Sequence, residues 1–135
     1  INELTGNEME FYDLLLPEEL GKLRMDGKEY TWNTWGEILK PGKDSQVWAT
    51  YTQEFYEGKP AVTTRKLGKG TVTYVGVDST DGLLEKDILK KLYAQLNIPV
   101  MDLPYGVTLE YRNGMGIVLN YTDKPRTSLL HIANR

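Results

Sequence analysis

Gly68-Lys69-Gly70-Thr71 brings together glycines, a lysine and a hydroxyl, the parts from which phosphate-binding loops are made. A Walker-type loop needs Gly-x-x-x-x-Gly-Lys followed at once by Ser or Thr, so that the hydroxyl reaches magnesium. Here Gly70 intervenes. The stretches on either side read as strands, so no helix N-terminus would face a phosphate. The fingerprint G-x-G-x-x-G fails as well, because Thr73 occupies its third glycine position. The loop therefore reads as a hairpin turn, with its glycines available for φ > 0.

His131 is the only histidine, and it has no nucleophile in recognisable context. A triad or a metal site needs histidine with defined partners, so His131 reads as a surface or sheet residue. Glu8/Glu10, Glu18/Glu19 and Asp78/Asp81 are the carboxylate pairs a glycosidase mechanism would invite. Acids so close in sequence face each other poorly across a sugar, and 19 acidic residues produce such neighbours by chance. Asp78 and Asp81 are better explained as strand-end and helix-cap residues. Asn120-Tyr121-Thr122 matches a glycosylation sequon, but nothing else indicates a secretory protein. No catalytic, cofactor-binding or metal-ligating residue is assigned, and no cofactor is expected.

The aromatic residues are more informative. Tyr30, Trp32, Trp35, Trp48, Tyr51, Phe55 and Tyr56 crowd the first half of the chain. Aromatic faces stack on sugars, anchor protein interfaces, or fill a core. Core or subunit interface is the expectation here, with the Tyr30–Trp35 stretch on an exposed or interfacial sheet surface.

These residues must be positioned by strands. Met9–Leu16 is a strand or short helix stopped by Pro17. Asp26-Gly27 marks a turn between strands at Leu23–Met25 and Glu29–Trp35. Pro41-Gly42 marks another turn, and Val47–Tyr51 resumes a strand. Ala61–Lys66 and Thr71–Val77 form the hairpin around the Gly-Lys-Gly loop. With no crossover helix between them, these strands should pair antiparallel.

Leu84, Ile88, Leu92 and Leu96 then recur every four residues, one apolar stripe on a helix of about four turns. Asn97 can close it in the left-handed conformation, and Pro99 prevents its continuation. After a loop at Leu103–Val107, two strands alternate about Asn113-Gly114, the strongest hairpin dipeptide. Thr127–Ala133 would be a third strand.

The bulk properties fit a globular chain, 40% hydrophobic and 26% charged over 135 residues. A net charge of −3 argues against a nucleic-acid partner, which a basic face would attract. The absence of cysteine removes disulfide frameworks, thiolate zinc sites and thiol catalysis. No apolar run approaches the roughly 20 residues of a membrane helix, so no membrane partner is expected. There is no targeting segment, the compartment stays open, and a chain starting at Ile1 reads as an excised or processed fragment.

Tyr51, Phe55-Tyr56-Glu57-Gly58-Lys59-Pro60-Ala61-Val62-Thr63, Leu67-Gly68-Lys69-Gly70 and Tyr74-Val75-Gly76 together resemble a known pattern. It is that of the end of the middle domain of glycoside hydrolase family 42 β-galactosidases. A helix follows in that family, as expected here at Leu83–Leu96. Leu103-Pro104-Tyr105-Gly106-Val107 and Leu119-Asn120-Tyr121-Thr122-Asp123 look like the start of its small C-terminal β domain. The resemblance covers Val47–Asp123 well and Ile1–Lys40 loosely.

The resemblance implies that a separate (β/α)₈ barrel carries both catalytic glutamates. The middle domain, similar to amidotransferase folds, builds a trimer and helps wall the barrel's active site. The implied fold is α+β: a strand-rich mixed sheet with one main amphipathic helix, then a small antiparallel β unit. Residues 1–100 would be the C-terminal half of the middle domain, and 101–135 the start of a C-terminal all-β domain. The implied function is a non-catalytic scaffold and oligomerisation fragment of an enzyme that hydrolyses terminal β-galactosides. Its partners would be the barrel and neighbouring subunits. The alternative is a carbohydrate-binding or general interaction module using the Trp/Tyr-rich strands; an independent enzyme is the third possibility.

Overall fold

A computed structural model describes residues 2–128. It is strand-rich α+β, with one main helix and a separate two-stranded sheet. The chain divides into two compact units, Ile1–Ile88 and Leu89–Arg135.

The first unit opens on a single helical turn, α1 (Asn2–Thr5), which the sequence pattern does not announce. Then come β1 (Asn7–Leu14), β2 (Gly21–Met25) and β3 (Lys28–Pro41). They are followed by β4 (Ser45–Tyr51), β5 (Pro60–Leu67), β6 (Gly70–Val75) and β7 (Val77–Ser79). Met9–Leu16 thus resolves as a strand. It ends before Pro17, where Glu19 N–H closes a turn on the Leu16 carbonyl at 2.9 Å. Asp26 and Gly27, with φ of 50° and 81°, make the two-residue turn from β2 to β3. In the Gly-Lys-Gly loop only Gly68 takes a positive φ, 59°. Gly70 already pairs with Leu67 as the first residue of β6. The loop joins two strands, as the hairpin reading requires.

The pairing path runs β1-β3-β2-β4-β5-β6, every ladder antiparallel. β7 follows β6 after one residue, Gly76, and pairs with β3. The hydrogen-bonded path therefore returns to a strand it has already used. Gly76 is the joint: its N–H donates to the Ala61 carbonyl at 2.9 Å, and its carbonyl accepts from Glu37 N–H at 2.6 Å. β3 is one long strand, longer than the Glu29–Trp35 expected. The residues from Gly36 to Pro41 continue it and carry β1.

Trp32, Tyr51, Leu23, Ile38, Leu39 and Val62 are the large side chains of the core. Trp32 is fully buried, and its indole lies against two glycines. Gly21 is its cross-strand partner and Gly36 lies four residues on along β3. Trp32 and Tyr30 were expected on an exposed or interfacial surface; both are buried instead. The reason is the returning path. β2 pairs with β3 at Trp32 along one edge and β7 along the other, while the Tyr30 hydroxyl lies against Asp87 at 2.8 Å.

The helix α2 (Leu83–Gln95) begins where the sequence places its caps. Asp81 Oδ1 accepts from Leu83 N–H at 3.0 Å, and Ser79 Oγ accepts from Gly82 N–H at 3.2 Å. Leu84 and Ile88 are buried within the first unit. Asp87 accepts from Lys28 Nζ at 2.5 Å and from the Tyr30 hydroxyl at 2.8 Å.

Within the second unit, Asn97 closes the helix at φ 54°. Ile98 N–H reaches the Tyr93 carbonyl at 2.9 Å and Asn97 N–H the Ala94 carbonyl at 3.1 Å, the paired bonds of a Schellman cap. β8 (Val107–Arg112) and β9 (Met115–Asn120) turn at Asn113 and Gly114, with φ of 50° and 78°. The third strand expected at Thr127–Ala133, with His131, lies mostly outside the described residues; Thr127 and Ser128 form no strand.

Candidate functional site

Of the six carboxylates that could suggest glycoside chemistry, Glu8, Glu10, Glu19 and Asp81 hold structure. Glu8 pairs with Lys40 at 3.0 Å and Glu10 with Lys59 at 2.9 Å. Glu19 accepts from Leu16 N–H at 3.1 Å, and Asp81 caps α2. Asn120 is tied into its own turn: its amide donates to the Lys124 carbonyl at 2.9 Å, and its carbonyl oxygen accepts from Thr122 N–H at 3.0 Å. Among the described residues, no three acidic or histidine side chains converge as metal ligands would.

The seven aromatic residues separate by depth. Tyr30, Trp32, Trp48, Tyr51 and Tyr56 are buried, Trp35 is half-buried, and Phe55 is 83% exposed. Four of them form a ring-to-ring path from core to surface. Trp32 meets Tyr51 edge-on at 5.7 Å, Tyr51 meets Tyr56 at 5.0 Å, and Tyr56 meets Phe55 at 5.0 Å. Phe55 then stacks on Phe11 of β1 at 5.5 Å. Edge-to-face contacts of this kind suit the ring quadrupoles and make the cluster cohesive. A sugar-stacking platform needs open faces, and the buried rings of Trp32, Tyr51 and Tyr56 offer none.

The open faces are on β1, which the sequence reading did not single out. Register places Met9 opposite Leu39, Tyr12 opposite Glu37 and Leu14 opposite Trp35, so these six share one face of the sheet. Phe11, opposite Ile38, and Asp13, opposite Gly36, share the other. Strict alternation would put Met9 and Phe11 together. A bulge at Glu10 reverses the order, turning Phe11 toward Tyr56 and Tyr12 outward. Tyr12 stacks on Trp35 at 4.6 Å with the rings 13° from parallel. Met9, Tyr12 and Leu14 are 50%, 52% and 59% exposed. The stretch Met9-Glu10-Phe11-Tyr12-Asp13-Leu14, four apolar or aromatic residues interrupted by two acids, is the signal that could have marked this strand.

Glu37, itself on this face, braces it. Its carboxylate accepts from the Trp35 indole N–H at 3.3 Å and the Tyr74 hydroxyl at 2.5 Å. Its backbone carbonyl accepts from the Tyr51 hydroxyl at 2.8 Å. Asp13 similarly accepts from the Tyr56 hydroxyl at 2.6 Å.

Burial is the largest cause that raises Tyr30, Tyr51, Tyr56 and Tyr74 above the ordinary tyrosine value. Asp87, Asp13 and Glu37 add to it at Tyr30, Tyr56 and Tyr74; Tyr74 is pushed up to about 12. A free tyrosine titrates near about 10. The unfolded chain thus releases these protons first as pH rises, and the folded state loses stability from about pH 10 upward. We expect an ultraviolet tyrosinate titration to show a late class of four among the nine tyrosines, released together with unfolding. Nine equivalent tyrosines titrating on the folded protein would refute this.

Comparison with known proteins agrees with this architecture. The β-galactosidase trimerisation domain family matches residues 1–104. β-Galactosidase LacA of Lactobacillus acidophilus is 38% identical over 76 residues, 56% of this chain and 11% of the relative. The chain therefore spans about a tenth of that protein's length. Among solved structures, the polyextremophilic β-galactosidase of Halorubrum lacusprofundi superposes with a TM-score of 0.77 at 28% identity. That match covers 90% of this chain and 18% of the other. Gan42B, a GH42 β-galactosidase of G. stearothermophilus, superposes with a TM-score of 0.69 at 27% identity. It covers 81% of this chain and 16% of the other. A domain of this kind associates with other domains or subunits. Matched by the family along most of its length, and by full-length β-galactosidases in sequence and fold, the chain belongs to the trimerisation domains of glycoside hydrolase family 42.

Proposed function

We propose that this chain is the non-catalytic scaffold of a β-galactosidase, joining a catalytic (β/α)₈ barrel to neighbouring subunits. The family match across residues 1–104 carries the reading. In the whole protein the barrel hydrolyses terminal β-galactosides by the retaining two-carboxylate route. Glu8, Glu10, Glu19 and Asp81, occupied in ion pairs, a turn and a helix cap, support the fold. Residues 1–100 form the later half of the middle domain, and 101–135 begin a C-terminal β domain. A family match that ends at 104 and a hairpin that starts at Val107 both support that division.

Exchange of Glu8, Glu10, Glu18 and Glu19 together for glutamine tests this in the whole enzyme. We expect kcat on a chromogenic galactoside to stay within about twofold, since losing a catalytic group costs on the order of a thousandfold or more. A loss of that larger size with folding intact would move chemistry into this chain.

A further inference from the structure

We propose that Asn113 is a site of spontaneous backbone modification. Its side-chain amide is displaced by the main-chain nitrogen of Gly114, leaving aspartate and isoaspartate in the turn between β8 and β9.

The reaction needs an asparagine and a following residue whose nitrogen can reach the amide carbon. A side chain on that following residue hinders the approach, and glycine has none. Asn113-Gly114 is the one Asn-Gly pair in the sequence. The two residues form the turn beyond Arg112 and Met115, the last pair of the β8–β9 ladder. In such a turn the closing hydrogen bond joins the outer two residues, so the Gly114 N–H has no part in it. A Cβ built on Gly114 would meet nothing within 4 Å. Asn113 is exposed, and among the described residues nothing holds its amide by a hydrogen bond.

Other asparagines lack one or more of these conditions. Asn7 is buried, and its amide donates to Thr63 Oγ1 at 2.6 Å. Asn33 pairs with Asp78 inside β3 and precedes the branched Thr34. Asn97 shares the left-handed conformation, but the nitrogen that follows belongs to Ile98 and donates to the Tyr93 carbonyl at 2.9 Å. The Asn120 amide is engaged by the Lys124 carbonyl and by Thr122 N–H. Asp26-Gly27 repeats the turn with φ of 50° and 81°, but a carboxylate is a poorer electrophile than an amide.

The turn must open briefly to bring the nitrogen in line with the amide carbon, a local event that does not require global unfolding. The Gly114 nitrogen then gives its proton to solvent base and bonds to Asn113 Cγ, and the amide nitrogen takes up a proton and leaves as ammonia. Water next opens the cyclic imide. Cleavage of the new Cγ–N bond yields aspartate in an ordinary main chain. Cleavage between the nitrogen and the main-chain carbonyl carbon reroutes the chain through Cγ as isoaspartate. Both products add a negative charge. Isoaspartate also lengthens a turn whose length sets the strand register, so the ladder loosens from its tip.

Timed incubation of the intact, folded enzyme at mildly alkaline pH in heavy-oxygen water tests the assignment. Peptides are then prepared under acid conditions and mapped by mass spectrometry. The Asn113 peptide should convert several-fold faster than those carrying Asn7, Asn33, Asn97, Asn120 or Asp26. Its products should carry heavy oxygen, and part of them should accept methyl groups from an isoaspartyl methyltransferase. Gly114→Ala should slow the conversion several-fold. Because alanine at φ 78° strains the turn, Asn113→Gln is the second variant. It keeps an amide but needs a larger ring, and its peptide should stay unconverted. Conversion no faster than at the other asparagines would overturn the proposal. So would aspartate formed without isoaspartate, which marks direct hydrolysis, or conversion that begins only in denaturant.

Discussion

Gly21→Ala should destabilise the protein by about 3 kcal/mol or more, at the upper end of what overpacking a core costs. A Cβ at Gly21 would stand 2.3 Å from both Nε1 and Cε2 of Trp32, far inside contact distance. A flexible surface side chain could yield; this indole cannot. It is fully buried, meets Tyr51 edge-on, and has Gly36 at its other end, where a Cβ would come within 2.7 Å of Cη2. Side chains in such a core sit in rotamer minima with few voids to move into. For a domain of this size the loss corresponds to a melting temperature lower by roughly 10 °C.

Gly70→Ala is the matched control, since the nearest atom to its Cβ is 3.8 Å away and its backbone conformation is ordinary. It should be neutral. Trp32→Phe in the Gly21→Ala background should recover part of the loss, because the smaller ring vacates the contested space. A double-mutant cycle would measure that coupling. Equal melting temperatures for the Gly21 and Gly70 variants would show that Trp32 is not held this way.

Gly76→Ala should cost about 2 kcal/mol, for a different reason. Its Cβ would approach the Ala61 carbonyl at 3.1 Å and the Glu37 carbonyl at 3.2 Å. Both are backbone atoms of paired strands, so relief requires moving backbone. The Glu37 carbonyl is further pinned by the Tyr51 hydroxyl at 2.8 Å. The two hydrogen bonds of Gly76, one to β5 and one to β3, tie together two strands that are not neighbours in the sheet path. Strain here should therefore loosen the return of β7 onto β3. Amide exchange at Glu37 and Gly76 should accelerate ahead of exchange in the β4–β5 ladder, and the denaturant midpoint should fall. A variant with unchanged exchange at both amides would remove Gly76 from this role. The Tyr74-Val75-Gly76 motif thus has a mechanical basis. Tyr74 reaches Glu37 through its hydroxyl, and Gly76 permits the backbone approach beside it.

The features legible in the amino-acid order were those decided by neighbours in the chain. Asp26-Gly27 and Asn113-Gly114 take the positive φ values their turns demand, and Asn97 and the Asp81 cap end and begin α2. Backbone sterics and local hydrogen bonds settle such features within a few residues. The motif Gly68–Gly70 with Tyr74–Gly76 was equally legible as a family pattern and as a hairpin.

What the sequence could not assign depends on pairings between distant strands. Whether Trp32 lies inside or outside depends on β7 closing onto β3, some 45 residues downstream, and Tyr30 on its contact with Asp87. Which of Phe11 and Tyr12 faces the core is settled by one bulge at Glu10, and a slip of one residue exchanges the faces of a strand. The order of residues determined the turns, the helix and the family. Tertiary pairing alone decided which aromatic rings became the core and which stayed exposed among the described residues, because burial is a property of the closed sheet.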